Sequence, residues 1–256
     1  MQVRQIRNAT LRIDYGGQRF LIDPYLAAKD TYPGFEGTMN SHIRNPRVEL
    51  ATPMSEILDV DAVIVTHSHP DHWDEAAVAL VPKHLPLFAR DEADAELFRS
   101  QGFADVRNLA DEPGFKNGSL TRTAGQHGSD ATMAAAGEVL GEVCGVLFTA
   151  EGEKTLYLAG DTVWNASVEE VLADARPDII ILNAGDAQIP GLDPIIMGKE
   201  DVKRAHDAAP FATVIASHLE AVNHAVLTRA ELNAFVAEHD LADRVLVPAD
   251  GEAYSF

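Results

Sequence analysis

Apolar and polar positions alternate at the start of the chain and run together further on. Residues 10–15 read Thr-Leu-Arg-Ile-Asp-Tyr, turn at Gly16-Gly17, and resume as Arg19-Phe20-Leu21-Ile22 before Asp23-Pro24. A period of two interrupted by a glycine pair predicts a β-hairpin. Residues 25–55 are rich in Pro, Gly, Asn and Arg and carry no period. Such a stretch predicts a lid or binding loop, with a plain surface excursion as the alternative. Beyond it lie short apolar runs at Ala62-Val63-Ile64-Val65, Leu156-Tyr157-Leu158-Ala159, Ile179-Ile180-Ile181-Leu182, Thr213-Val214-Ile215-Ala216 and Val245-Leu246-Val247. Their length and β-branching predict strands buried on both faces. Ser167 with Glu170, and Thr228 with Glu231, have capping-box spacing ahead of apolar stripes, and 91–100 and 199–209 read as further helices. The alternation predicts an α/β chain.

The buried runs end in polar residues: His67, Asp161, Asn183, Ser217-His218 and Asp250. In layered α/β folds, sites gather beyond the carboxyl ends of strands. A set of side chains delivered to one edge is what a metal site needs.

The densest chemistry is Thr66-His67-Ser68-His69-Pro70-Asp71-His72, which holds three of the ten histidines directly after a strand. Imidazole and carboxylate are ligands that zinc and similar divalent ions accept. His67 and His69 project to one side in extended chain, and Pro70 forces a turn that lets Asp71 and His72 face a neighbouring position. Further along come Gly125-Gln126-His127, Gly160-Asp161-Thr162 and Ser217-His218.

These elements, in this order, resemble the metallo-β-lactamase superfamily, whose signature is HxHxDH. The resemblance implies a four-layer αββα sandwich with two metals at one edge of the paired sheets. It implies His67, His69 and His127 on the first metal, Asp71, His72 and His218 on the second, and Asp161 bridging them. His224 competes with His218 as the last ligand; His218 is preferred because it directly follows a strand. Asn8-Ala9-Thr10 and Gly16-Gly17 through Asp23-Pro24 look like the branch containing L-ascorbate-6-phosphate lactonase and N-acylphosphatidylethanolamine-type phospholipases, with Asn8 where that branch often carries His.

The expected activity is a metal-dependent hydrolase in which a metal-bridging hydroxide attacks an ester, lactone, amide or phosphoester. Asp71 is the candidate catalytic residue, orienting the water and accepting its proton. Two divalent ions, zinc first and manganese or iron as alternatives, are the expected cofactors. Two dications less two carboxylates and one hydroxide leave about one positive charge, which favours a small anionic metabolite. Candidates for substrate contact are Asn183, Lys199, Asn223 and His224, with Asp186, Gln188 and Glu220 nearby. Trp73 and Trp164 follow metal motifs and are candidates to wall the pocket. His42, His84, His206 and His239 lack ligand spacing and read as surface or packing residues. Rival classes are an iron-dependent oxidoreductase or sulfur dioxygenase on the same fold, and a non-catalytic metal-binding protein.

Composition narrows the partners. Asp and Glu number 40 against 20 Lys and Arg, a formal charge of −20, with no basic stripe. Such a surface repels nucleic acid and anionic lipid, leaving a small molecule as the expected partner, with a homo-oligomer compatible. No apolar run approaches a membrane span, and the start MQVRQIRNATLRIDYGG lacks a secretory apolar stretch, so a cytoplasmic location is expected. One cysteine, Cys144, excludes an intramolecular disulfide and reads as a small core residue. The 256 residues, without linker or repeat, are expected to form one domain over 1–256.

Overall fold

The apolar run Ala62–Val65 is a strand buried on both faces. Ile64 joins Phe20, Ile22 and Phe88 in a core between two sheets, while Val63 and Val65 pack under helices on the outer side. Ile179–Asn183 repeats the arrangement, with Ile179 and Ile181 inward and Ile180 and Leu182 outward. Apolar residues at every position suit a sheet held between another sheet and a layer of helices.

The computed structural model describes residues 1–111 and 113–256, and its strands form two seven-stranded sheets. The first contains β1 (Gln2–Arg7), β2 (Thr10–Tyr15), β3 (Gln18–Ile22), β4 (Ala62–Val65), β5 (Leu87–Ala89), β6 (Val106–Asn108) and β14 (Ala253–Ser255). Their order is β14-β1-β2-β3-β4-β5-β6. The second contains β7 (Gly114–Phe115), β8 (Gly118–Ala124), β9 (Cys144–Ala150), β10 (Leu156–Leu158), β11 (Ile179–Asn183), β12 (Thr213–Ser217) and β13 (Val245–Leu246). They lie in the order β13-β12-β11-β10-β9-β8-β7. Pairing is parallel from β3 to β6 and from β10 to β13, and antiparallel elsewhere.

Helices α1 (Met54–Ile57), α2 (Glu75–Leu80) and α3 (Glu92–Ser100) cover the first sheet. Helix α4 (Asp130–Leu140) lies apart, its Leu140 packing with Ile195 and Ile196. Helices α5 (Ala166–Asp174), α6 (Lys199–Ala208) and α7 (Arg229–Glu238) cover the second sheet. The result is the expected αββα sandwich. Parallel β10, β11 and β12 bring Asp161, Asn183 and His218 to one edge, and parallel β3 and β4 do the same for Asp23 and His67.

The hairpin at 10–22 and the Thr228–Glu231 capping box form as expected. At α5 the N-cap is Asn165 rather than Ser167; its side chain accepts from both the Ser167 and Val168 N–H groups. That places Ser167 inside the first turn, where it cannot cap. Residues 25–55 have no long element and are tied down by side chains. The Arg7 guanidinium donates to the carbonyls of Tyr25, Ala27 and Val48.

The intersheet core is aromatic. Phe148 of the second sheet meets Phe20 of the first edge-on at 5.7 Å and Tyr15 at 5.5 Å, and is fully buried. Phe148→Ala leaves a void between layers that cannot close without bending a sheet. We expect it to lower unfolding stability by about 3–5 kcal/mol, read as a shift of the urea midpoint at unchanged slope. A change under about 1 kcal/mol would mean the layers are not close-packed there.

Candidate metal centre

After β4 the chain stays extended, and His67 Nε2 lies 3.0 Å from His69 Nδ1. The Pro70 turn closes as the His72 and Trp73 N–H groups donate to the His69 carbonyl at 2.9 Å. The turn carries Asp71 and His72 to a second position beside the first. Gly160 introduces Asp161 in a left-handed conformation, φ +70, where an added Cβ would meet the Cys144 carbonyl at 2.3 Å. Only glycine fits that turn.

Donor atoms converge in three overlapping groups, each within 4.8 Å: His67, His69 and His127; His67, His72 and Asp161; Asp71, His72 and His218. Asp161 Oδ2 is common ground, 3.1 Å from His72 Nε2, 3.7 Å from His218 Nε2, 3.8 Å from His127 Nε2 and 3.9 Å from His67 Nε2. His218 Nε2 is 3.2 Å from both Asp71 Oδ2 and His72 Nε2.

Outer groups fix this arrangement. Asp23 Oδ2 lies 2.9 Å from His72 Nδ1, while its two oxygens accept from the Thr66 N–H and hydroxyl. His127 Nδ1 lies 2.8 Å from the Ile195 carbonyl. Ligand histidines typically have their second nitrogen held in this way. Asn183 Nδ2 donates to Asp161 Oδ1 at 2.7 Å, and Asn8 Nδ2 donates to the Asp71 carbonyl and Oδ2. Asn8, Asp23 and His218 all have positive φ, of 55, 43 and 62. Each such residue is strained by about 1–2 kcal/mol, offset here by the hydrogen bonds its side chain makes at the site.

The electrostatics point to cations. Burial alone would raise the carboxyls of Asp71 and Asp161, yet His72 and His218 hold both well below the usual range. Burial alone would lower His72 and His218; Asp161, with Asp23 and Asp71 at His72 and Asp71 at His218, overcomes it and raises both. His67 and His127 are lowered, chiefly by burial. Two carboxylates thus draw protons onto two imidazoles whose nitrogens face each other at 3.2 Å. A divalent ion relieves that crowding, and the donor set fits one.

A proton–metal exchange follows. Asp161, with Asp23 and Asp71, favours the protonated forms of His72 and His218, and each must deprotonate to ligate. Apparent metal affinity is therefore expected to fall as pH falls, by at most about 100-fold per pH unit for two displaced protons, measured by chelator competition. An affinity independent of pH would remove the exchange. The sign is opposite for metal-free stability: the histidine contribution is present below the ordinary histidine range and lost as pH rises through the raised values.

A cavity of about 300 Å³ opens over the cluster. Its walls include His69, Asp71, His127 and Asp161 from the cluster, Phe35, Glu36 and Thr38 from the irregular segment, and Val139, Leu140, Ile189, Ile195 and His224. No Lys or Arg is among them.

Residues 18–219 match the family described as "Beta-lactamase superfamily domain". UPF0173 protein YddR of Bacillus subtilis (strain 168) is 44% identical over 257 residues, covering all of both chains. A UPF0173 metal-dependent hydrolase of Shouchella clausii (strain KSM-K16) is 29% identical over 80% of this chain and 79% of its own. The crystal structure of isothiocyanate hydrolase from Delia radicum gut bacteria superposes with a TM-score of 0.97, at 49% identity, over 100% of this chain and 99% of that one. The chain belongs to the beta-lactamase superfamily, in its UPF0173 family. It is a metal-dependent hydrolase on the metallo-β-lactamase fold, with His and Asp groups that could bind the metal.

In this UPF0173 hydrolase the seven residues named as ligands in the sequence come together, and His218, not His224, joins the cluster. His224 stands in the cavity wall. Three expected substrate contacts, Asn183, Lys199 and Asn223, are not among the residues lining this cavity. Asn183 Nδ2 donates to Asp161 Oδ1. Lys199, at the start of α6, lies with Nζ 5.4 Å over the Phe235 ring. Asn223 is buried, its side chain accepting from the Phe35 N–H and Asn45 Nδ2 and donating to Thr38 Oγ1 and the Met39 carbonyl. It holds the irregular segment in place rather than facing a ligand. Trp73 packs on Phe98 and Phe103 under α3, and Trp164 donates to Glu169, so neither walls this cavity.

Asp186 accepts from Gln188 Nε2, and Glu220 pairs with Arg229, so these nearby candidates are also engaged elsewhere. Cys144 is buried, with Sγ donating to the Thr66 carbonyl. Among the described residues no helix is long and apolar enough to cross a membrane. Sequence reasoning missed Asp23 and Asn8. The signal for Asp23 was present in its position at the end of the apolar run Phe20-Leu21-Ile22.

Proposed function

We propose that this enzyme hydrolyses small, neutral, apolar electrophiles with a cumulated carbon centre, isothiocyanates foremost. The supporting observation is the cavity: about 300 Å³, walled by Phe35, Val139, Leu140, Ile189 and Ile195, with no Lys or Arg and, outside the His/Asp cluster, one acidic side chain, Glu36. An anionic metabolite, expected from the charge of the centre, would find no counter-ion on these walls. The likeness in structure and sequence to isothiocyanate hydrolase supports this reading. The N-terminal likeness to the ascorbate-6-phosphate lactonase branch falls on residues that brace the site, Asn8 and Asp23, and carries no substrate information.

In this reading His67, His69 and His127 would hold one divalent ion, Asp71, His72 and His218 a second, and Asp161 would bridge. Zinc is favoured over manganese or iron by the borderline imidazole–carboxylate set. Bound ions would lower the pKa of water toward neutrality and polarise the electrophile. Asp71 orients the attacking water and takes its proton. The apolar walls seat the substrate's carbon skeleton and exclude bulk water. Water adds across R–N=C=S to give the thiocarbamic acid, R–NH–C(=O)–SH, which separates into R–NH2 and carbonyl sulfide.

The test is steady-state turnover of benzyl isothiocyanate by zinc-loaded protein, set against p-nitrophenyl acetate, a γ-lactone and p-nitrophenyl phosphate. Amine and carbonyl sulfide in equal amounts are expected. Efficient lactone or phosphoester cleavage with no isothiocyanate turnover would overturn the reading.

A further inference from the structure

We propose that His224 touches the substrate, its Nε2–H donating a hydrogen bond to the heteroatom on which negative charge develops as water adds. The inference rests on the functional reading above and assigns a new residue to the same site.

His224 lines the cavity and is 8% exposed. Its Nδ1 is closed off from solvent and has no hydrogen-bond partner among the described residues, whereas Nε2 is not closed off. A neutral imidazole carries one proton. A buried N–H without an acceptor is the rarer and more costly orphan, so the lone pair occupies Nδ1 and the proton Nε2. The ring thereby presents a donor to the cavity, and among the described residues no side chain accepts from it.

The ring cannot swing freely. The Phe35 ring meets it edge-on at 5.2 Å and 87°. Its own carbonyl accepts from the Gln188 N–H at 3.0 Å, and the next residue, Ala225, bridges to Ala187. Burial lowers the imidazole to about 4, so the group is a neutral donor at physiological pH. A preorganised neutral donor aimed at developing charge, across a cavity from the nucleophile's position, stabilises the transition state more than the ground state.

Two variants separate shape from donation. His224→Phe keeps a ring against Phe35 and removes the donor; His224→Gln retains an N–H at about the same reach. With zinc content equal in all three proteins, kcat/KM for benzyl isothiocyanate is expected to fall about 100-fold in His224→Phe and less than about tenfold in His224→Gln. Equal activity of His224→Phe and wild type would overturn the role of His224 while leaving the hydrolase reading intact. Two measurements do not depend on turnover. Long-range nitrogen–proton correlation spectra are expected to show His224 protonated at Nε2, and protonation at Nδ1 would overturn the proposal. Thiocyanate, a linear N–C–S ion, is expected to bind about tenfold more weakly to His224→Phe. If wild-type protein turns over no isothiocyanate, the functional reading fails, and unchanged thiocyanate binding in His224→Phe would then sink the donor as well.

Discussion

Asp161→Ala is expected to empty the metal centre and lower kcat/KM by at least about 10⁴-fold while the protein stays folded. Among the described residues, Asp161 is the one carboxylate whose oxygen lies within 4 Å of four of the clustered histidines, His67, His72, His127 and His218. It contributes to both halves of the centre at once, so its loss cannot be confined to one ion. The side chain is 3% exposed and its other oxygen is taken by Asn183, so water cannot readily replace it in the same geometry. Removal also strips His72 and His218 of the charge that most raises them. Metal per chain by mass spectrometry and steady-state kinetics on the same preparation provide the check. Two retained metal equivalents with activity within about tenfold of wild type would mean that Asp161 does not bridge.

The parts of this centre that could be read from sequence are those set by local geometry. Two histidines alternating after a buried strand must share a side, and a proline must turn the chain; His67, His69, Asp71 and His72 need nothing more. His127, Asp161 and His218 were legible through ordered likeness to a family and through polar residues closing apolar runs.

Less visible was anything decided by competition between local signals. Ser167 was the expected cap of α5, yet Asn165, two residues earlier, reaches two N–H groups. Strands β8 and β9 escaped notice because Gly, Thr and Arg break their apolar pattern; they lie in an antiparallel part of the sheet, where only one face needs to be apolar in sequence. Lys199 and Asn223 follow strands as the true site residues do, but one snorkels along α6 onto Phe235 and the other turns back to tether residues 35–45. Asp23 stands before a proline at the end of β3. Its two oxygens serve His72 and Thr66, a role that appears only once β3 and β4 lie side by side.

Asp71→Asn separates ligation from proton transfer, and kcat is expected to fall about 10³-fold with benzyl isothiocyanate. The amide has the carboxylate's shape, so the contacts that seat residue 71 can largely persist: the Asn8 amide donates to its backbone carbonyl at 3.1 Å and to Oδ2 at 3.3 Å. What disappears is the charge beside His218 Nε2, 3.2 Å away, and the basicity needed to accept a proton from water. Because neighbouring histidines hold the Asp71 carboxyl well below its usual range, the wild-type base is ionised throughout the neutral region. The loss should therefore be constant from about pH 6 to pH 8 rather than recovered at either end. His69→Ala is the contrasting variant, since it deletes a member of the other ligand group and should lose metal as well as turnover. If Asp71→Asn retains both metals and the slow kcat, Asp71 acts chiefly on the proton. If it loses one ion of two, ligation dominates. Full activity with full metal would remove Asp71 from both roles.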